Sequence, residues 1–340
     1  MEFDHDFSRR DLLRGAVGLA GLALLSSCGG GPEATPAPTP DPIMELLAIS
    51  RLDPLVFPDV AWINRQSKNH EPQPHPLIDA HQLREDGMPA LAFKATQGHE
   101  GERHVDGDLA QNRRNCAEAG ILGIAYHYLM PGNAKKQADA FIGALIDTDP
   151  DKPGKVKAKH TKAVLVVDVE KTGQDAPHGP SIEDVHTFYD RVSQKTARRL
   201  GIYTSVGYWG GYQNGRLLKG ELGNPASPKG SFLWWAYYLR SNGTTASGTA
   251  GELFKKVSAY SHQKTTDDPW PANRIGDWDY YTIRQFTDNA KYRDYQGAHD
   301  SDDKHTLDFN VSWLDQSQLA SYGNYRPDEL AKVKPLSTKI

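Results

Sequence analysis

AVLVVDVEK, residues 163–171, runs five apolar residues into Asp168, adds Val169 and then places Glu170. Side chains of an extended chain alternate between two faces. Asp168 and Glu170 therefore share a face with Val164 and Val166, while Leu165, Val167 and Val169 point the other way. A carboxylate cannot be packed unpaired against an apolar layer. The face carrying the acids is thus predicted to look into a cavity, with both acids at the C-terminal end of a buried strand. Cα atoms two residues apart in a strand are roughly 6.5–7 Å apart. Two carboxyls at such range raise each other's pKa, so one stays protonated while its neighbour ionises. That division of labour suits glycoside hydrolysis. An ion pair with a basic residue elsewhere and metal ligation remain open for the same pair.

Working outward, short apolar runs alternate with longer amphipathic ones. Strands are predicted at 56–62, 90–95, 122–129, 163–170, 201–204, 232–239, 281–287 and 306–310. Helices are predicted at 77–85, 108–119, 134–146 and 181–200, the last opening on Ser181, Glu183 and Asp184, which suit a cap and the helix dipole. Eight strands with intervening helices point to an α/β fold, a β/α barrel of irregular build, whose active sites gather at the C-terminal strand ends. Residues 240–280 are polar and turn-rich and read as an insertion over one rim.

Acids recur at other strand ends. Asp59 lies at the first strand and Asp308 at the last. First and last strands are neighbours in a closed barrel, so both acids can reach one cavity mouth. Aromatic residues line the same strands. Trp234, Ala236 and Tyr238 fall on one face and Trp235 and Tyr237 on the other, Tyr126 and Tyr128 alternate around His127, and Tyr203 sits in GIYT. Most such residues simply pack a core, yet a lumen of acids with Trp and Tyr also suits sugar rings. No His-x-His set stands on a strand end, so no metal site and no cofactor is predicted, and His127 reads as a structural histidine. A net charge of −4 argues against nucleic acid as a partner.

The N-terminus reads as an export signal. Ser8-Arg9-Arg10-Asp11-Leu12-Leu13-Arg14 is a twin-arginine pattern, followed by an apolar run too short and glycine-rich for a membrane span. The run ends in Leu25-Ser26-Ser27-Cys28, which resembles a lipobox with Cys28 as the lipidated residue. Residues 1–28 are then the signal, 29–48 a disordered Gly/Pro/Thr tether, 49–325 the catalytic barrel and 326–340 a polar tail. The expectation is a monomeric lipoprotein anchored to a membrane and facing the periplasm or cell wall. Gly29, in place of an acidic retention residue, favours the outer membrane if the source is Gram-negative. With Cys28 lipidated, Cys116 has no disulfide partner and is expected to be buried in a helix face.

The chain resembles glycoside hydrolase family 25, the Chalaropsis-type lysozymes. The resemblance rests on PDVAW, AFKATQG, the run from Asp108 to Phe141, VVDVE, GIYTSVGYW, LWWAYY, RQFTD and LDFNVSW, in that order over residues 57–319. It implies an irregular TIM-like barrel of eight strands with fewer than eight helices. It implies hydrolysis of the β-1,4 bond between N-acetylmuramic acid and N-acetylglucosamine in peptidoglycan, with net retention. Glu170 is implied as general acid/base, Asp168 as the partner of the substrate's 2-acetamido group, and Asp59 and Asp308 as further cleft acids. Lys94, Gln97, Tyr126, Tyr203, Trp234, Tyr238, Gln285 and Asp288 fall on positions implied to bind sugar. Gln97 stands where the family usually has glutamate, Ala61 replaces a small hydroxyl residue, and Arg284 and Phe286 flank Gln285 in place of Trp and Tyr. These departures, with the rim insertion, keep a non-catalytic peptidoglycan-binding protein as the alternative.

Overall fold

Eight strands pair in a ring in a computed structural model of the chain. The structure describes residues 55–61, 77–98, 105–160, 162–171, 179–213 and 216–237, and shorter pieces from 240 to 320. The signal, lipobox and tether, residues 321–340 with the tail among them, and most of the 240–280 stretch lie outside the described residues.

The barrel strands are β1 (Leu55–Val60), β2 (Ala90–Gln97), β3 (Leu122–Tyr128), β4 (Val164–Asp168), β5 (Gly201–Thr204), β6 (Phe232–Ala236), β7 (Tyr281–Lys291) and β8 (Leu307–Ser312). Each pairs with the next in parallel from β1 to β7, whereas β8 runs antiparallel to both β7 and β1 and closes the ring. That reversal decides where the acids go. Asp59 is near the end of β1 and Asp308 near the start of β8, yet the two are direct cross-strand partners. A regular parallel barrel would have put the beginning of its last strand at the opposite end.

Five α-helices are described: α1 (Ala80–Glu85), α2 (Leu109–Ala119), α3 (Ala134–Asp147), α4 (Ile182–Thr196) and the single turn α5 (Val206–Trp209). The irregular α/β barrel expected from the sequence is the fold observed. Several boundaries move for local reasons. α1 starts at Ala80, not 77, because the Asp79 side chain accepts from the His81 and Gln82 amides as its cap. α4 begins as predicted, with Ser181 and Asp184 in a reciprocal capping box, but ends at Thr196 instead of 200. Ala197 adopts a left-handed φ of 57°, freeing residues 198–200 to lead into β5.

The sheet separates two apolar layers. Inside the barrel pack Phe57, Ala92, Ile124, Val164, Val166 and Trp234. Outside, Leu165, Val167 and Val169 meet a helix layer that includes Phe141 of α3 and Phe188 and Val192 of α4. The alternation read from residues 163–171 thus holds residue by residue. Burying each such side chain stabilises the fold by about 1.5–3 kcal/mol. Cys116 is buried in the outer layer, where desolvation pushes its thiol up to about 12. His127 is also structural. Its Nδ1 lies 2.7 Å from Thr96 Oγ1, its Nε2 3.1 Å from Gln137 Oε1, and its ring stacks on Phe188. Burial lowers its pKa to about 3, so it stays neutral.

Candidate active site

Every barrel strand, or the residues just past its end, contributes to one cavity of about 200 Å³ at the C-terminal mouth of the parallel strands. Asp59 and Ala61 come from the β1 end, Lys94 from β2, and Tyr126 and Tyr128 from β3. Asp168 and Glu170 come from the β4 end, Tyr203 from β5, Trp234 from β6, Gln285 from β7 and Asp308 from β8. β4 stops at Asp168, so Glu170 stands beyond the strand at the rim and is only partly buried, whereas Asp168 is buried.

Trp234 packs at the base of the cavity. It meets Phe57, Tyr126 and Tyr203 edge-on, with ring centroids 6.3, 6.4 and 5.4 Å away, and its Nε1 donates to Asn310 Oδ1 at 2.8 Å. Gln285 is the polar hub. Its Nε2 donates to Asp59 Oδ2 and Asp308 Oδ2, both at 3.2 Å, and its Oε1 accepts from the Tyr203 hydroxyl at 2.7 Å.

The four acids share a poorly solvated space. Burial pushes Asp59 up to about 7 despite hydrogen bonds from Tyr126, Gln285 and Asn310, and the charge of Glu170 adds to the rise. Burial, followed by the charge of Glu170, holds Asp168 well above the usual carboxylate range. Its Oδ1 is buried with no hydrogen-bond partner among the described residues, which adds to the cost of ionising it. Burial also raises Glu170. Lys94 opposes the rise in both Asp168 and Glu170. Acids coupled in this way titrate together and not as independent groups. Among the described residues no three His, Cys, Asp or Glu side chains form a metal cage.

The structure brings Asp59, Asp168, Glu170, Asp308, Lys94, Tyr126, Tyr203, Trp234 and Gln285 together. Gln97 does not line the cavity; it stands behind Lys94 and accepts a hydrogen bond from its ammonium. Tyr238 and the side chain of Asp288 lie outside the described residues. Two contributors were not among the site residues predicted from the sequence. Tyr128 pairs with Asp168 across β3 and β4 and lines the cavity. Asn310 bonds to Trp234 and supports Asp59. Their signal was period-two spacing from residues already chosen, Tyr126 and Asp308.

The family model "Glycosyl hydrolases family 25" matches residues 77–295. Lysozyme M1 of Streptomyces globisporus is 27% identical over 187 residues, 49% of this chain and 58% of that protein. The chain therefore spans a little over half the length of that relative. Among solved structures, a family 25 glycosyl hydrolase from Bacillus anthracis aligns with a TM-score of 0.49 and 18% identity over 79% of this chain and 93% of its own. A family GH25 lysozyme from Aspergillus fumigatus aligns with a TM-score of 0.49 and 20% identity over 80% of this chain and 99% of its own. With the family model covering well over half of its length, the chain belongs to glycosyl hydrolases family 25.

Proposed function

We propose that the protein is a muramidase that cleaves the β-1,4 bond between N-acetylmuramic acid and N-acetylglucosamine in peptidoglycan, with net retention. The observation that carries this reading is the gathering of Glu170, Asp168, Asp59 and Asp308 around one aromatic-floored mouth. Family membership and the lysozyme relative support it.

Glu170, at the rim with its carboxyl raised by burial, donates its proton to the glycosidic oxygen as the bond to the anomeric carbon breaks. The oxygen of the substrate's 2-acetamido group attacks the same carbon and forms a cyclic oxazolinium. Asp168 orients the acetamido group and offsets its developing positive charge. Glu170, now a carboxylate, takes a proton from a water that opens the ring, which regenerates the acid and leaves the configuration retained. Asp59 and Asp308 tune the acids and bind sugar, and Lys94, Tyr126, Tyr203, Trp234, Tyr238, Gln285 and Asp288 shape the subsites. The twin-arginine and lipobox patterns support export and a lipid on Cys28, so that the barrel works as a monomer beside the membrane that holds it.

Reducing ends released from purified peptidoglycan test the reading. The wild type is expected to release them and Glu170→Gln to lose activity by about 100-fold or more. Wall binding without any release by the wild type would instead identify a non-catalytic binding protein.

A further inference from the structure

Period-two alternation in β2 breaks between Lys94 and Thr96. Lys94 pairs with Tyr126 and Thr96 pairs with His127, leaving Ala95 as an extra residue. Ala95 packs in the outer layer, and Thr96 also turns outward to His127. The bulge returns Gln97 to the side of Lys94, where its Oε1 accepts from the Lys94 ammonium. Bulges beside active sites commonly re-aim a side chain in this way. The other end of the Gln97 amide points to Met130 Sδ at 3.8 Å, and the Lys94 ammonium lies 4.9 Å from the centre of the Tyr128 ring. Both holders, an amide oxygen and an aromatic face, are uncharged. Among the described residues Lys94 makes no ion pair, although four carboxylates share its cavity.

We propose that Gln97 is a positioning residue that holds Lys94 as an un-neutralised cation, and that this one charge sets the ionisation of Asp168 and Glu170. The inference rests on the muramidase reading for its catalytic meaning, but not for its electrostatics. The groups facing Lys94 are Asp168 and Glu170 from the β4 end, Asp59 from β1 and Asp106 from the segment before α2. Tyr126 and Tyr128 flank it from β3, Asp308 stands across the mouth on β8, and His127 behind it is neutral. Burial lowers the pKa of Lys94, and Asp168 leads the carboxylates that draw it back up. In return, among the described residues, Lys94 is the group that offsets the rise of Glu170. A carboxylate at position 97 would take the ammonium into a local pair and withdraw its field from both acids. The neutral amide orients the charge without consuming it.

The test is a pair of titrations on Lys94→Met, Lys94→Arg and Gln97→Glu. Carboxyl-carbon NMR follows Asp168 and Glu170 directly and needs no turnover. The pH–rate profile on peptidoglycan follows them in catalysis. Lys94→Met and Gln97→Glu are expected to move the carboxyl midpoints and both limbs of the profile upward by about one pH unit or more, and Lys94→Arg to leave them in place. Gln97→Glu, a near-isosteric change, keeps the test valid if Lys94→Met fails to fold. Unmoved midpoints in folded Lys94→Met or Gln97→Glu would overturn the inference. An inactive wild type would overturn the muramidase reading alone, because the NMR midpoints would still decide this one.

Discussion

Asp59 and Asp308 stand directly opposite each other across β1 and β8, and a single amide nitrogen of Gln285 bonds to both at 3.2 Å. Like charges in that position destabilise a sheet. Here a third strand supplies a donor to both acids, and burial, with a smaller contribution from the charge of Glu170, still raises the Asp59 pKa to about 7. The folded state therefore binds the Asp59 proton more tightly than the unfolded chain does. Ionisation costs nothing below about pH 4, costs progressively more as pH rises, and costs the full amount above about pH 7. Asp59→Asn removes that cost. Urea unfolding should show the stability of the variant relative to wild type growing between pH 4 and pH 8 by up to about 4 kcal/mol. A difference that does not change with pH would contradict the assignment.

Gly179 lies against the backbone of Glu170, the proposed general acid. A Cβ there would stand 2.1 Å from Tyr208 Oη and 2.8 Å from the Glu170 carbonyl oxygen, while the Tyr208 hydroxyl is engaged with Pro180 O. Gly179→Ala must displace one of them. Because a misplacement of about 1 Å can cost about 100-fold, kcat is expected to fall at least about 10-fold with every acid intact. Initial rates on peptidoglycan check it, and wild-type kcat would refute the link.

The capping box of α4 should be worth about 1 kcal/mol. Ser181 Oγ accepts from the Asp184 amide at 3.1 Å, and Asp184 Oδ2 accepts from the Ser181 amide at 3.0 Å. Ser181→Ala is expected to lower the urea midpoint while leaving kcat unchanged.

Arg113 is a harder loss. Its guanidinium is buried and donates to Leu145 O, to Thr148 Oγ1 and to Asp149, which is 3.4 Å away and itself buried. Asp149→Ala strands that charge, and the expected cost is about 3–5 kcal/mol, read as a drop in unfolding free energy.

What was legible in the sequence was what alternation alone controls. Val164 and Val166 inside, Leu165, Val167 and Val169 outside, and Trp234 opposed to Trp235 all follow from period-two spacing on straight strands. The acids at Asp59, Asp168 and Glu170 followed from their places at the C-terminal ends of strands, whereas Asp308, near the start of β8, reaches the same mouth only because β8 is reversed. What was not legible depended on pairing. The reversal of β8 leaves no local mark, because an antiparallel strand has the same side-chain period as a parallel one. The bulge at Ala95 moves Thr96 out and Gln97 back in, so simple alternation assigns both to the wrong face. The Gln285–Asp59 bond joins residues 226 apart in sequence. The end of α4 at Ala197 was hidden because alanine, not glycine, takes the left-handed position.

Mass analysis of the fragments released from purified peptidoglycan by wild type and Glu170→Gln tests the central claim most directly, since the new reducing end identifies the bond cut. The account predicts fragments ending in reducing N-acetylmuramic acid from the wild type and about 100-fold fewer from Glu170→Gln. Reducing N-acetylglucosamine ends, or undiminished release by Glu170→Gln, would contradict it.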